Sequence, residues 1–221
     1  MFGFLRRWRT LAMVAIFAAV AAAIPMLSSH DHAAIAATSA RTNRAAFHDA
    51  MRRLWEDHIV WTRMFIVSAV ADLPDLSQAT DRLLANQDGI GSAIAPFYGE
   101  AAGEQLTGLL RDHILGAAAL LAAAKSGDEA AVEAASTAWY ANGDDIAAFL
   151  NAANPRAWPL DEMRAMMRGH LDLTLQEAVA RLEGRYADDV AAYDRIHDQI
   201  LHMADMLSDG IIAQLPSSFA P

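Results

Sequence analysis

Leu54-Trp55-Glu56-Asp57-His58-Ile59-Val60-Trp61-Thr62-Arg63-Met64-Phe65 is the stretch whose periodicity decides the fold. Leu54, His58, Trp61 and Phe65 recur at i, i+4, i+7 and i+11, which places them on one face of an α-helix. One member of that apolar stripe is a histidine, so a titratable group is turned toward the core. The helix, expected from about Thr42, stops at Asp72-Leu73-Pro74, and Asp75 with Gln78 offers a capping box for a second helix.

The same reading extends along the chain. The second helix runs to about Pro96 and a third from about Glu100 to Lys125-Ser126-Gly127, a cation followed by a helix-ending glycine. Asp128 caps a fourth, which ends by Asn154-Pro155. Pro159 and Leu160 open a fifth that closes at Glu183-Gly184, and a sixth runs from about Arg185 to Ile212. The tail from Leu215 shows no pattern, and no sustained period-two stretch of β-branched residues appears. The expected fold is all-α: a helical bundle of about six helices arranged as three αα-hairpins. One six-helix bundle and a four-helix bundle with an appended pair both fit this pattern.

An internal spacing sharpens the picture. His58 to Asn86, His113 to Asn142 and His170 to Asp198 are 28, 29 and 28 residues apart, with midpoints at the three hairpin turns. Residues equidistant from a turn lie at one height on its two helices, here about 21 Å from the turn at about 1.5 Å per residue. With all three turns at one end, the six residues share a layer across the middle of the bundle. Each histidine sits among apolar neighbours, so each must find a partner or cost about 1–3 kcal/mol.

That layer supports three expectations. In the first, neutral imidazoles of His58, His113 and His170, with the Asp198 carboxylate, bind a divalent transition metal or a small ligand, while Asn86 and Asn142 accept hydrogen bonds from the rings. In the second, a metalloenzyme with redox or hydrolytic chemistry uses the same layer. In the third, His–Asn pairs only set helix register and the protein is structural. The Glu-x-x-His pairs of di-iron bundles and the His-Glu-x-x-His of zinc proteases are absent. Met166, Met167, Met203 and Met206 at helical spacing read as core filler, and the carboxylates and histidines of Asp194 to Asp209 as a solvated stripe. Trp55, Trp61, Trp139, Tyr140 and Trp158 read as packing in the core and at the bundle ends.

Composition closes other routes. The chain has 221 residues, 54% hydrophobic and 20% charged, with a formal charge of −10. An acidic surface cannot neutralise phosphates, so no nucleic-acid partner is expected. Zero cysteines exclude disulfides, Cys-based zinc sites, iron–sulfur clusters and thiol nucleophiles.

The N-terminus reads as an export signal. Arg6, Arg7 and Arg9 precede 14 uncharged apolar residues, Leu11 to Ile24, and Ala34-Ile35-Ala36 offers a cleavage site. Residues 1–36 are therefore expected to be a signal peptide and 37–221 one helical-bundle domain. The mature chain is then periplasmic or extracellular and has no stable membrane span. The alternative is an uncleaved anchor that extends the run through Pro25 to Leu27.

Leu54-Trp55-Glu56-Asp57-His58, continuing through Trp61-Thr62-Arg63, resembles a family of uncharacterised bacterial helical proteins. Pro96-Phe97-Tyr98-Gly99 and Met203-Ala204-Asp205-Met206 are similar to its later segments, so the likeness covers about Leu54 to Ile212. It implies a single helical fold. Members carry labels such as glycosyltransferase or acetylglutamate kinase. Neither label has support in this chain, which has no Asp-x-Asp and none of the alternating strands such folds need.

Overall fold

Three residues in left-handed backbone set the topology. Asp72 (φ 51°), Gly127 (φ 74°) and Gly184 (φ 71°) each end a helix and reverse the chain. Asp72 occupies the conformation that glycine supplies in the other two turns. Its carboxylate accepts from Lys125 Nζ at 2.7 Å, and the same ammonium donates to Ala69 O at the end of the first helix.

The structure, a computed structural model, describes residues 29–220, with side chains from residue 43 onward. Among these residues six α-helices alternate in direction: α1 (Ser29–Val70), α2 (Leu76–Tyr98), α3 (Glu100–Ser126), α4 (Glu129–Ala153), α5 (Leu160–Leu182) and α6 (Tyr186–Gln214). No strand occurs among the described residues. Each helix packs on its neighbours in sequence, and α1 packs on α6. The three hairpins therefore close into a ring of six rather than a four-helix bundle with an added pair. The hairpin turns lie at one end of the ring, and the α2–α3 and α4–α5 links lie at the other.

Close approach is built in where α2 meets α3. A Cβ on Gly91 would stand 2.5 Å from the backbone oxygen of Gly103, which cannot swing aside. At the link end, Trp158 is buried against Gly210, and Phe219 stacks on Phe97 with centroids 5.4 Å apart. Met167 and Met203 are core filler, as their spacing suggested, and Met166 and Met206 pack half-buried against the core.

Four details depart from the sequence reading. Helix α1 begins at Ser29, well before Thr42, and Ala34-Ile35-Ala36 falls inside it; Leu11 to Ile24 lies outside the described residues. Asp75 makes no cap bond, because Ser68 Oγ donates to its carboxylate at 2.8 Å. Residues Pro216–Phe219 form a 3-10 turn, since burying Phe219 draws the tail onto the ring. His48, which its place beside Asp49 and Arg52 puts on an exposed face, is only partly exposed, with Nε2 3.1 Å from Asp209 Oδ1 on α6.

Candidate functional site

Helices α1, α3 and α5 run parallel and each carries one histidine inward. His58, His113 and His170 are 3–4% exposed, and their rings meet in the middle of the ring of helices. The centroid of His170 is 5.9 Å from that of His58 and 6.5 Å from that of His113. Trp139 stacks on the outer face of His113, with centroids 5.3 Å apart.

Each imidazole faces a carboxamide on the other helix of its hairpin, and two of the three are hydrogen-bonded to it. His113 Nδ1 is 3.0 Å from Asn142 Oδ1, and His170 Nδ1 is 3.0 Å from Gln199 Oε1. The third pair is looser. His58 Nδ1 and Gln87 Oε1 are both buried without a well-formed hydrogen bond, yet Gln87 favours the charged form of His58 as an acceptor facing it would. The separations His58–Gln87, His113–Asn142 and His170–Gln199 are all 29 residues.

The carboxamides are anchored by a second repeat. Asn142 Nδ2 donates to Leu109 O, and Gln199 Nε2 to Met166 O. Each acceptor lies four residues before the histidine of its hairpin. In the first hairpin two side chains divide that role. Asn86 Nδ2 donates to Leu54 O, while Gln87 Nε2 donates to Leu83 O and to Asn86 Oδ1. With the NH2 groups committed to carbonyls, each amide oxygen faces the ring. Oxygen only accepts, so in His113 and His170 Nδ1 carries the hydrogen and Nε2 keeps a bare lone pair.

Burial keeps the rings neutral. Desolvation lowers all three pKa values, and mutual repulsion adds to it for His58 and His113; the His113 value falls to about 3.

The sequence expectations divide accordingly. The three histidines and Asn142 meet as expected. Asn86 is buried beside the layer but binds backbone instead of a ring, and Gln87 takes the place expected for it. Asp198 is exposed and outside the layer, because one residue along an α-helix turns a side chain by about 100°, from inside to outside. Gln87 and Gln199 were findable: a constant 29-residue step lands on a carboxamide in all three hairpins. Among the described residues no group of three or more His, Asp or Glu forms a ready-made metal cage.

Beside the layer, toward the hairpin turns, lies a cavity of about 240 Å³ between α1, α3, α4 and α5. Ile114, Ala117, Leu121, Ala124, Ala178 and Leu182 line it, with Thr62, Thr174 and Trp139 at the layer side. The lining residues on α3 span Ile114 to Ala124, about 15 Å at about 1.5 Å per residue. Partly exposed Val132, Ala178, Val179 and Leu182 border its mouth. Thr62 and Thr174 donate to the carbonyls of His58 and His170, and Trp139 Nε1 donates to His113 O. The polar hydrogens of those three side chains are thus committed elsewhere, and the wall offers a ligand only hydrocarbon and hydroxyl lone pairs.

Near that end, between α1, α5 and α6, Arg63 holds Glu177 at 2.6 Å and Asp189 at 2.7 Å, and Arg181 reaches Asp189 at 3.2 Å. Burial pushes Glu177 up to about 7 in spite of Arg63. Paired in this way, the cluster ties the end of α5 to the start of α6 and to α1.

The fold and site define an all-α protein whose ring of three hairpins encloses an imidazole cluster and an adjoining apolar cavity. No family model, curated protein or solved structure matches the chain.

Proposed function

We propose that this is an exported binding protein that takes a small apolar molecule, a single-ring hydrocarbon or a medium-length alkyl chain, into the cavity between α1, α3, α4 and α5. The observation that carries this reading is the cavity itself. An apolar cavity of about 240 Å³ leaves the side chains of its wall without neighbours on one side. A filling apolar ligand supplies those contacts and removes the wall from water. A cavity of about 150 Å³ is enough to take up benzene, so this one accepts something larger. Export rests on the basic n-region and the apolar run that follows it.

The test is thermal unfolding of the full chain against a series of alkanes, alkanols and alkylbenzenes, repeated with Ala117→Leu. Expected is a rise in Tm that peaks at one chain length and is lost in the variant. A wild type unmoved by every member of the series, or a rise that persists in Ala117→Leu, refutes the reading.

A further inference from the structure

The imidazole cluster is separate from the cavity, whose lining includes none of the three histidines. We propose that Nε2 of His58, His113 and His170 together bind one monovalent soft metal ion, copper(I). Three observations carry the assignment.

The first is the forced tautomer. Anchored carboxamides make Nδ1 of His113 and His170 donors and leave their Nε2 lone pairs free, and Gln87 Oε1 stands at the same 29-residue step from His58; no Nε2 is hydrogen-bonded to another described residue. The second is that these atoms border space. Among the described residues, the closed-in side-chain atoms without partners are Trp55 Nε1, His58 Nδ1, Gln87 Oε1 and Asp144 Oδ1, and no Nε2 is among them. An imidazole whose Nδ1–H is held by a carbonyl oxygen is also the arrangement that orients a metal ligand from behind.

The third is charge. Asp198 is exposed, and the buried acids Glu177 and Asp189 are already held by Arg63 and Arg181. Three neutral ligands in an apolar shell leave the ion's charge uncompensated. The solvation cost of a buried ion grows as the square of its charge, so a divalent ion suffers about four times the penalty of a monovalent one. Among metals suited to imidazole, copper is the one with a stable monovalent state.

A planar site with metal–nitrogen bonds of about 2.0 Å needs ring centroids about 5.5 Å apart. His170 stands 5.9 Å from His58 and 6.5 Å from His113, so binding draws the rings inward. That gap is why the rings do not form a cage as they stand.

The experiment is an anaerobic titration of the purified full chain with copper(I) presented as its bicinchoninate complex. His30 and His32 are replaced by Ala throughout, so that this pair contributes nothing. Expected is withdrawal of one equivalent of copper(I) per chain, with X-ray absorption showing about three nitrogen neighbours at about 2.0 Å. His170→Ala abolishes it with helicity retained, and Asn142→Leu, which touches no metal, weakens it about 10–100-fold. If His170→Ala fails to fold, His58→Gln at the loosest pair takes its place. Folded wild type that withdraws no copper(I), or equal binding in the histidine variant, overturns the proposal. Stoichiometric Zn²⁺ uptake without copper(I) overturns the charge assignment on which it rests. None of these outcomes bears on the cavity ligand, because the alkane series reads different residues.

Discussion

The imidazole layer divides one ring of helices into two halves that are filled very differently. Toward the α2–α3 and α4–α5 links, Met51, Trp55, Leu106, Leu150, Trp158 and Ile211 interlock and leave a void of only about 20 Å³. Toward the hairpin turns, α3 and α5 bring Ala117, Ala124 and Ala178 to the inside and leave about 240 Å³. Small side chains border the cavity where large ones fill the other half. The ends differ in kind as well: Phe47, Phe97 and Phe219 cluster at the filled half, while Arg63, Glu177, Arg181 and Asp189 tie helices near the hollow one. A packed half holds the ring together while the other half stays open, a division of labour that a uniformly filled bundle would not need.

The largest expected effect concerns the layer between the halves. In the metal-free protein the three histidines are neutral when folded and free to protonate when unfolded. From about pH 6.5 downward the unfolded chain binds protons that the folded one does not, so stability falls with pH. For His113, with its folded value of about 3, the loss is about 1.4 kcal/mol per pH unit and reaches about 4 kcal/mol by about pH 3.5. His58 and His170 act in the same direction. Glu177 acts in the opposite one, because its raised value stabilises the fold as pH falls from about 7 toward 4.5. Three histidines outweigh one glutamate. Urea unfolding at pH 7.5, 6, 5 and 4 should show a steady fall, and a flat profile over that range would contradict neutral burial of the layer.

Next in size is the contrast between halves. Trp158→Ala in the filled half should cost about 3–5 kcal/mol, since Trp158 is 2% exposed and close against Gly210. Leu121→Ala, at the wall of the cavity, should cost near the lower end of the range for such truncations, about 2 kcal/mol, because its side chain already lacks neighbours on one side. Both are read from chemical denaturation with unchanged m-values. Equal costs would mean that the hollow half is as tightly packed as the filled one.

Much of this frame is legible in the sequence, for identifiable reasons. Pro74, Gly127 and Gly184 punctuate the hairpins through backbone sterics, which act locally and read out locally. The three histidines stand out because a polar group in an apolar stripe is conspicuous. Their partners were half legible. Asn86 and Asp198 are each one residue from the side chain that faces the ring, and a one-residue error matters on a helix, where it turns the side chain by about 100°. The constant 29-residue step carried the right register, and it is the chemistry of the carboxamide, both donor and acceptor, that explains why Gln and Asn occupy it. The cavity was not legible. Ala117, Ala124 and Ala178 look like ordinary helix formers, and a void is a property of what faces them from three other helices.

The smallest expected effect tests that last point directly. Ala117→Leu adds three carbon groups to a wall that now faces empty space, each worth about 0.8 kcal/mol when buried. Against this stands about 0.5–1 kcal/mol of rotamer entropy, together with incomplete burial at a partly exposed position. A net gain of about 1 kcal/mol should remain, a rise in Tm of about 2–4 °C for a chain of this size. In a well-packed core the same enlargement costs about 1–3 kcal/mol through overpacking, so the two halves predict opposite signs for one kind of substitution. Ala147→Leu in the filled core, at a residue with no exposed surface, provides the opposing measurement. A loss at both sites would show that the space beside the layer cannot accept a side chain, and a cavity that cannot accept its own leucine could not accept a ligand of that size.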